Sequence, residues 1–197
     1  MKPIEINELL DIVRYEKVRN EYRKEIIEYK KNRRFFLGPQ ISLTFENRKT
    51  MKFQIQEMMR AERMIHDEPI QSEIEVYNTL IPSDNELSAT LFIEITEEEK
   101  IKEDLHKFLG LTDGEKLWIQ VGDHKIFAKF EEGRSEEDKI SSVHYIRFTF
   151  TDEELNLFKQ FSLPASIMIS QNEYRFYSEL TKEARQTLIN DLEGIGE

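Results

Sequence analysis

The chain has 197 residues, of which 28 are Lys or Arg and 39 are Asp or Glu, for a formal net charge of −11. A duplex-binding protein usually shows a basic footprint, so nucleic acid is disfavoured as a partner for the surface as a whole, which leaves room for a local basic patch. Cysteine is absent, which excludes disulfides, thiolate nucleophiles, thiolate zinc sites and Cys-ligated iron–sulfur clusters.

Hydrophobic residues make up 39 % of the chain, with 13 Phe and 7 Tyr, enough for a packed core. The N-terminus, MKPIEINELLDIVRYEK, is charged throughout and lacks the apolar core of a signal peptide. No apolar run reaches membrane-spanning length. The expectation is a cytoplasmic protein with no membrane partner.

Asn7 can cap a short helix carrying Leu9, Leu10, Ile12 and Val13. A longer helix is expected from about Tyr15 to Asn32, with Val18, Tyr22, Ile26 and Tyr29 along one face. Lys30, Lys31, Arg33 and Arg34 follow. They either offset the negative end of the helix dipole or form an anion site for a phosphate or carboxylate. Phe35 to Pro39 turns the chain. Ile41, Leu43 and Phe45 then alternate with Ser42, Thr44 and Glu46 as a half-buried strand.

The stretch Asn47 to His66, NRKTMKFQIQEMMRAERMIH, is the one around which the chain is organised. It is rich in helix formers and has no Gly or Pro. Thr50 is the expected N-cap. Met51, Ile55, Met58 and Ile65 share a side, with Met59 and Ala61 flanking, and Lys52, Gln56, Arg60 and Arg63 lie opposite. Met51, Phe53 and Ile55 also alternate like a strand, which leaves the helix start open. Glu62 falls within the apolar side, with His66 one turn on. A carboxylate in an apolar layer must be paired, bonded or protonated. Glu62 and His66 therefore make either a structural ion pair that fixes helix register or part of a ligand or metal pocket.

Asp67, Glu68 and Pro69 open a helix with the stripe Ile70, Ile74, Tyr77 and Ile81. Leu87, Ala89, Leu91, Ile93 and Ile95 alternate as the clearest strand. Thr96 and Glu99 fit a capping box ahead of Ile101, Leu105, Phe108 and Leu109. Leu117 to Val121, a Gly122-Asp123 turn and Lys125 to Phe130 read as a hairpin. The charged EEGRSEED stretch reads as a solvated loop. A strand at 143–150 follows, in which Arg147 calls for a carboxylate partner. Thr151 and Glu154 form another capping box. Two short strands flank Gln171-Asn172, and Thr181 caps a last amphipathic helix.

His124, at the hairpin turn, and His144, at a strand start, could converge with Glu62 and His66 on a divalent metal, zinc or iron. Their spacing matches no defined motif, and they serve equally well as ordinary turn and strand residues. No nucleophile elbow, P-loop, dinucleotide fingerprint or H-E-x-x-H is present.

The segments KKNRR, LGP, FENR, FQIQEMMRAERM, YNTLIP, VGDH and SSVHYIRF resemble an uncharacterised bacterial family, a domain of unknown function. The likeness runs over nearly the whole chain, and QIQEM followed by R and ER is its most specific part. The resemblance implies genes neighbouring those of rubrerythrin and iron–sulfur oxidoreductases, hence a role near peroxide or oxygen defence and a redox protein partner. It also implies a polar set of Arg33, Arg34, Glu46, Arg48, Gln56, Glu57, Arg60, Glu62, His124 and His144. Members carry a further His where this chain has Ser170, Gln171 and Asn172, which counts against an all-histidine metal set.

Together these readings predict one α+β domain over 1–197, mainly helical over 1–82 and sheet-rich over 87–197. N-terminal helices and the central charged helix should pack on a mainly antiparallel sheet. The leading function is an accessory or ligand-binding protein whose Arg33, Arg34, Arg48, Gln56, Glu57, Arg60 and Glu62 recognise a small anion or a protein surface. A metal-dependent enzyme using Glu62 with His66, His124 and His144 is the alternative. A structural interaction module whose charges only hold the fold is the third reading.

Overall fold

The computed structural model describes residues 1–97, 99, 101–131, 135–136 and 139–195. The fold is α+β. Its sheet has eight strands: β1 (Arg34–Phe36), β2 (Ile41–Glu46), β3 (Glu86–Ile93), β4 (Leu117–Val121), β5 (His124–Phe130), β8 (Val143–Thr149), β9 (Ala165–Gln171) and β10 (Tyr174–Glu179). They run in the order β1-β2-β3-β8-β5-β4-β9-β10, every pairing antiparallel. A two-stranded ribbon of β6 (Ser135–Glu136) and β7 (Lys139–Ile140) stands apart. It carries Ser135 and Glu136 of the charged EEGRSEED stretch; Glu131 directly follows β5, and 132–134 and 137–138 lie outside the described residues.

The sheet is antiparallel, as expected, and it is curled rather than flat. Strand twist accumulates over eight strands and brings the two ends together. The Tyr174 hydroxyl donates to the Leu37 carbonyl at 2.5 Å and accepts from the Gln40 amide at 3.1 Å, so β10 meets the turn after β1. The result is a nearly closed barrel. Leu43, Phe45, Leu91, Phe148, Ile119 and Ile167 fill it, and helix α6 (Lys182–Leu192) adds Ala184, Leu188, Ile189 and Leu192 to the same core.

Helices α1 (Ile12–Lys30), α2 (Arg48–Ala61) and α3 (Asp67–Asn78) form a second layer. Met51, Ile55 and Met59 of α2 pack with Ile70 and Ile74 of α3 and with Ile4 of the N-terminal arm. The open question at Met51 to Ile55 resolves as helix. Asn47, not Thr50, is the N-cap of α2: its side chain accepts from the Thr50 amide, and the Thr50 hydroxyl accepts from the Asn47 amide. Asp11 caps α1, so Leu9 and Leu10 lie outside any helix and the arm there is extended.

The largest departure is at the far end of α2. The helix stops at Ala61, with Glu62 as C-cap and Arg63 in left-handed conformation at φ 54°. The Met64 amide bonds back to the Met59 carbonyl at 2.9 Å, closing the end. His66 is then the extended N-cap of α3. The turn at Arg63 lets Ile70 and Ile74 pack with Ile55 and Met59, and Met64 with the same cluster, while Ile65 in the connection stays 73 % exposed.

Helix α4 (Ile101–His106) is shorter than expected, and its predicted capping box adjoins positions outside the described residues. Helix α5 (Asp152–Phe158) has the reciprocal Thr151/Glu154 cap, and Thr181 caps α6. Buried Arg185 of α6 donates to the Phe158, Leu163, Leu157 and Gln160 carbonyls, tying α6 to the exposed C-terminal end of α5. No helix among the described residues is long and apolar enough to cross a membrane.

Candidate functional site

The polar residues singled out on α2 do not form one site. Arg48 and Gln56 grip the N-terminal arm, and Glu57 and Arg60 grip α1. Arg48 donates to the Lys2 carbonyl at 3.1 Å and to the Glu8 carboxylate at 2.6 Å. Gln56 is 2 % exposed and pairs with Leu10 like an added strand residue: it accepts from the Leu10 amide at 2.8 Å and donates to the Leu10 carbonyl at 3.0 Å. Glu57 takes two parallel bonds of 2.8 Å from Arg19 and one of 2.6 Å from the Tyr15 hydroxyl. Arg60 bonds Glu16 at 2.5 Å. Along α1, Glu16, Arg19, Tyr22 and Glu25 meet Arg60, Glu57, Phe53 and Lys49 of α2 in turn, so the two helices run antiparallel.

Titration follows this geometry. The Arg19 hydrogen bonds hold Glu57 below the usual carboxylate range although burial opposes them. The Arg48 bond does the same for Glu8. Burial, reinforced by the Glu57 bond, pushes the Tyr15 phenol up. Arg33 belongs to a separate buried knot. It is 1 % exposed and bonds Asp191 twice, at 2.6 and 2.9 Å. Tyr29 and the Asn47 amide complete the knot: Arg33 donates to the Tyr29 hydroxyl at 2.8 Å, and Asn47 donates to Asp191 at 3.0 Å. Burial would lower the guanidinium, yet Asp191 holds it above its ordinary value.

Glu62 and His66, expected inside an apolar layer, are both exposed at the α2–α3 turn. His124 is exposed at the start of β5. His144 is 1 % exposed on the barrel side of β8, bonded through Nε2 to the Ser141 carbonyl at 2.8 Å and set edge-on to Phe130. The proposed metal set of Glu62, His66, His124 and His144 is therefore not brought together. Among the described residues no group of three His, Cys, Asp or Glu could hold a metal ion. Ending α2 at Ala61 removes the i, i+4 relation on which the Glu62–His66 pairing rested. Arg147 has its carboxylate partner in Glu86.

The remaining basic residues lead to a groove. Strand β2 is buried along its whole length. Leu43 and Phe45 point into the barrel, while Ser42, Thr44 and Glu46 lie on the outer face beneath helices, at 0, 5 and 4 % exposure. The half-buried strand expected from alternation is thus covered on both faces. Register aligns Arg34 with Thr44 and Thr90, and Phe36 with Ser42 and Phe92, on that outer face. The face opens into a groove of about 810 Å³ lined by Ile27, Lys30 and Lys31 of α1, Gln54 of α2, Arg34, Phe36, Thr44, Glu46 and Phe92 of the sheet, and Glu94. That volume is ligand-sized, within the roughly 300–1,000 Å³ of small-molecule sites.

Inside the groove, Arg34 reaches Glu94 at 2.7 Å and lies over the Phe36 ring at 5.1 Å. Glu94 also accepts from Ser42. Lys31 pairs with exposed Glu28, at 2.6 Å. Glu46 accepts from Thr90 at 3.3 Å through Oε1, and its Oε2 lies 3.7 Å from the Lys30 ammonium. Of the basic cluster expected as a possible anion site, Lys30, Lys31 and Arg34 line this groove and Arg33 does not; Arg48, Gln56, Glu57, Arg60 and Glu62 are not among its lining residues. Sequence reading missed the hydroxyl-rich outer faces of β2 and β3. Their signal was Ser42, Thr44, Ser88 and Thr90 repeating small polar groups, beside strands that helices both precede and follow.

Comparison with known proteins agrees with this picture of an open functional question. A search of curated proteins found no match. The crystal structure of a novel protein of unknown function from Burkholderia pseudomallei superposes with a TM-score of 0.88 at 29 % identity, covering 97 % of this chain and 100 % of that one. The family model described as "Protein of unknown function (DUF3501)" matches residues 3–192. The chain therefore belongs to the DUF3501 family of proteins of unknown function.

Proposed function

We propose that the protein binds a small anionic metabolite with an apolar body in the groove between α1 and the β1–β3 face. One observation carries this reading. Lys30, Lys31 and Arg34 sit on one groove beside Ile27 and Phe36, which are 60 % and 58 % exposed. Against three cations the lining sets two carboxylates, Glu46 and Glu94. The lining itself thus carries one more cation than carboxylate on a chain of net charge −11, with Glu28 outside the lining as the partner of Lys31, and it offers apolar surface next to the charge. The existing pairs Lys31–Glu28 and Arg34–Glu94 are exposed. Such pairs contribute little, so a ligand phosphate or carboxylate can replace them at small cost.

Calorimetric titration with a panel of alkyl and aryl phosphates and carboxylates tests the reading. Saturable binding is expected that weakens with added salt and falls by about tenfold, some 1.4 kcal/mol, in Lys31→Ala/Arg34→Ala. A panel giving no saturable heat and no thermal stabilisation, or binding that this double variant leaves untouched, removes the proposal.

A further inference from the structure

We infer that the ligand also carries a protonated amine, received by Glu46, so that the groove selects zwitterions over simple anions. This rests on the anion-binding reading above and narrows its ligand class. Glu46 lines the groove yet is only 4 % exposed. A carboxylate has about four acceptor positions, and the ones here are poorly served. Oε1 accepts one long bond, 3.3 Å from Thr90. Oε2 is buried and accepts no hydrogen bond among the described residues. The Lys30 ammonium is 3.7 Å away. At that separation it offsets the charge but lies beyond hydrogen-bond length. Buried acceptors in native proteins almost always find a donor. A donor arriving in the groove would supply it.

Charge and spacing identify that donor as an ammonium. A divalent cation needs several oxygen or imidazole ligands, and no group of three His, Cys, Asp or Glu gathers here or elsewhere among the described residues. Glu94, the other carboxylate of the groove, is taken by Arg34 and Ser42. The Arg34 guanidinium reaches Ser42 and Glu94, and Ser42 stands four residues along β2 from Glu46, about 13 Å at the ordinary strand rise, or roughly 7 Å once a hydrogen bond of about 3 Å is allowed at each end. The anionic and cationic ends of the ligand therefore stand apart by a few bonds, as in an ω-amino acid, with an apolar span resting on Phe36.

Two isosteric probe pairs test this on the full-length chain: 5-aminovalerate against hexanoate, and 4-(aminomethyl)benzoate against 4-ethylbenzoate. Calorimetry should show at least one amine probe binding about tenfold or more tighter than its apolar counterpart. Glu46→Gln, similar in size, should abolish that preference while leaving the amine-free affinity in place. The wild-type comparison stands even if this variant fails to fold. Equal binding within both pairs, still weakened by Lys31→Ala/Arg34→Ala, overturns the zwitterion assignment and leaves the anion reading intact. Absence of binding by all four probes also overturns the assignment, and the phosphate and carboxylate panel then decides the anion reading on its own.

Discussion

Arg33 and Asp191 are joined by two short hydrogen bonds, and their side chains are 1 % and 0 % exposed. Removing one member of such a pair strands a charge in the interior. Arg33→Met and Asp191→Asn should each lower unfolding free energy by about 3–5 kcal/mol, measured by urea denaturation, and an Arg33→Met/Asp191→Leu double change should cost clearly less than the two combined. Glu62 gives the contrast. It is exposed, so Glu62→Gln should change stability by less than about 0.5 kcal/mol. Both residues stood out in the sequence, but for different reasons. Arg33 was legible as one of a basic cluster, while its partner lies 158 positions away, a distance no spacing rule spans. Glu62 was placed by extending the α2 wheel past the turn at Arg63, where the period no longer applies. Glu57, by comparison, owes its low pKa to Arg19. A depressed folded-state pKa gives stability that is present above the ordinary value near 4.5 and lost as pH falls below it. Urea midpoints should therefore drop on acidification through that region, and Glu57→Gln should flatten part of the drop.

Helix α2 works as a fastener. Its buried stripe of Met51, Ile55 and Met59 faces α3, and its polar residues hold the N-terminal arm and α1 through Arg48, Gln56, Glu57 and Arg60. The helix and its concentration of polar groups were readable from the sequence, the apolar stripe only in part: Met51 and Ile55 were on it, but Met58 and Ile65 were expected there with Met59 only flanking, and Gln56, expected opposite, is buried. What those groups grip was not readable, because the Leu10 backbone carries no side-chain signature. Gln56→Ala leaves the Leu10 amide and carbonyl without their partners, so it should cost about 1–3 kcal/mol. It should also raise hydrogen exchange at the Leu10 amide more than at amides within the barrel. Equal protection at Leu10 in both proteins would mean that the arm is held by Ile4 and Met59 alone. The strand pattern of β2 was legible too, but its burial on both faces was not: alternation reports which side is apolar, whereas the roof over the polar side comes from α1 and α2. That roof is what turns Thr44 and Glu46 into groove residues.

At the scale of the whole molecule, the barrel depends on a seam without a strand ladder. Periodicity identified nearly all of its strands, yet closure of the sheet leaves no mark on any single strand, since it follows from accumulated twist. The seam is made by side chains. Tyr174 bridges the Leu37 carbonyl and the Gln40 amide, and the Phe176 ring lies against Gly38. Gly38 has φ +77°, and a Cβ there would meet the ring at 2.6 Å. Both its conformation and its lack of a side chain are needed. Gly38→Ala should therefore destabilise by more than about 1 kcal/mol. Adding Phe176→Ala should recover only the steric part, since the positive φ remains. Tyr174→Phe keeps the ring on Phe108 and Phe176 and removes only the bridging hydroxyl. It should cost about 1–3 kcal/mol and speed exchange at the Gln40 amide. Because β1 carries Arg34 and Phe36 on the far side of that turn, a loosened seam should also weaken ligand binding in the groove. Tyr174→Phe with unchanged Gln40 exchange would show that the twist of the strands, and not the tyrosine, keeps the barrel shut.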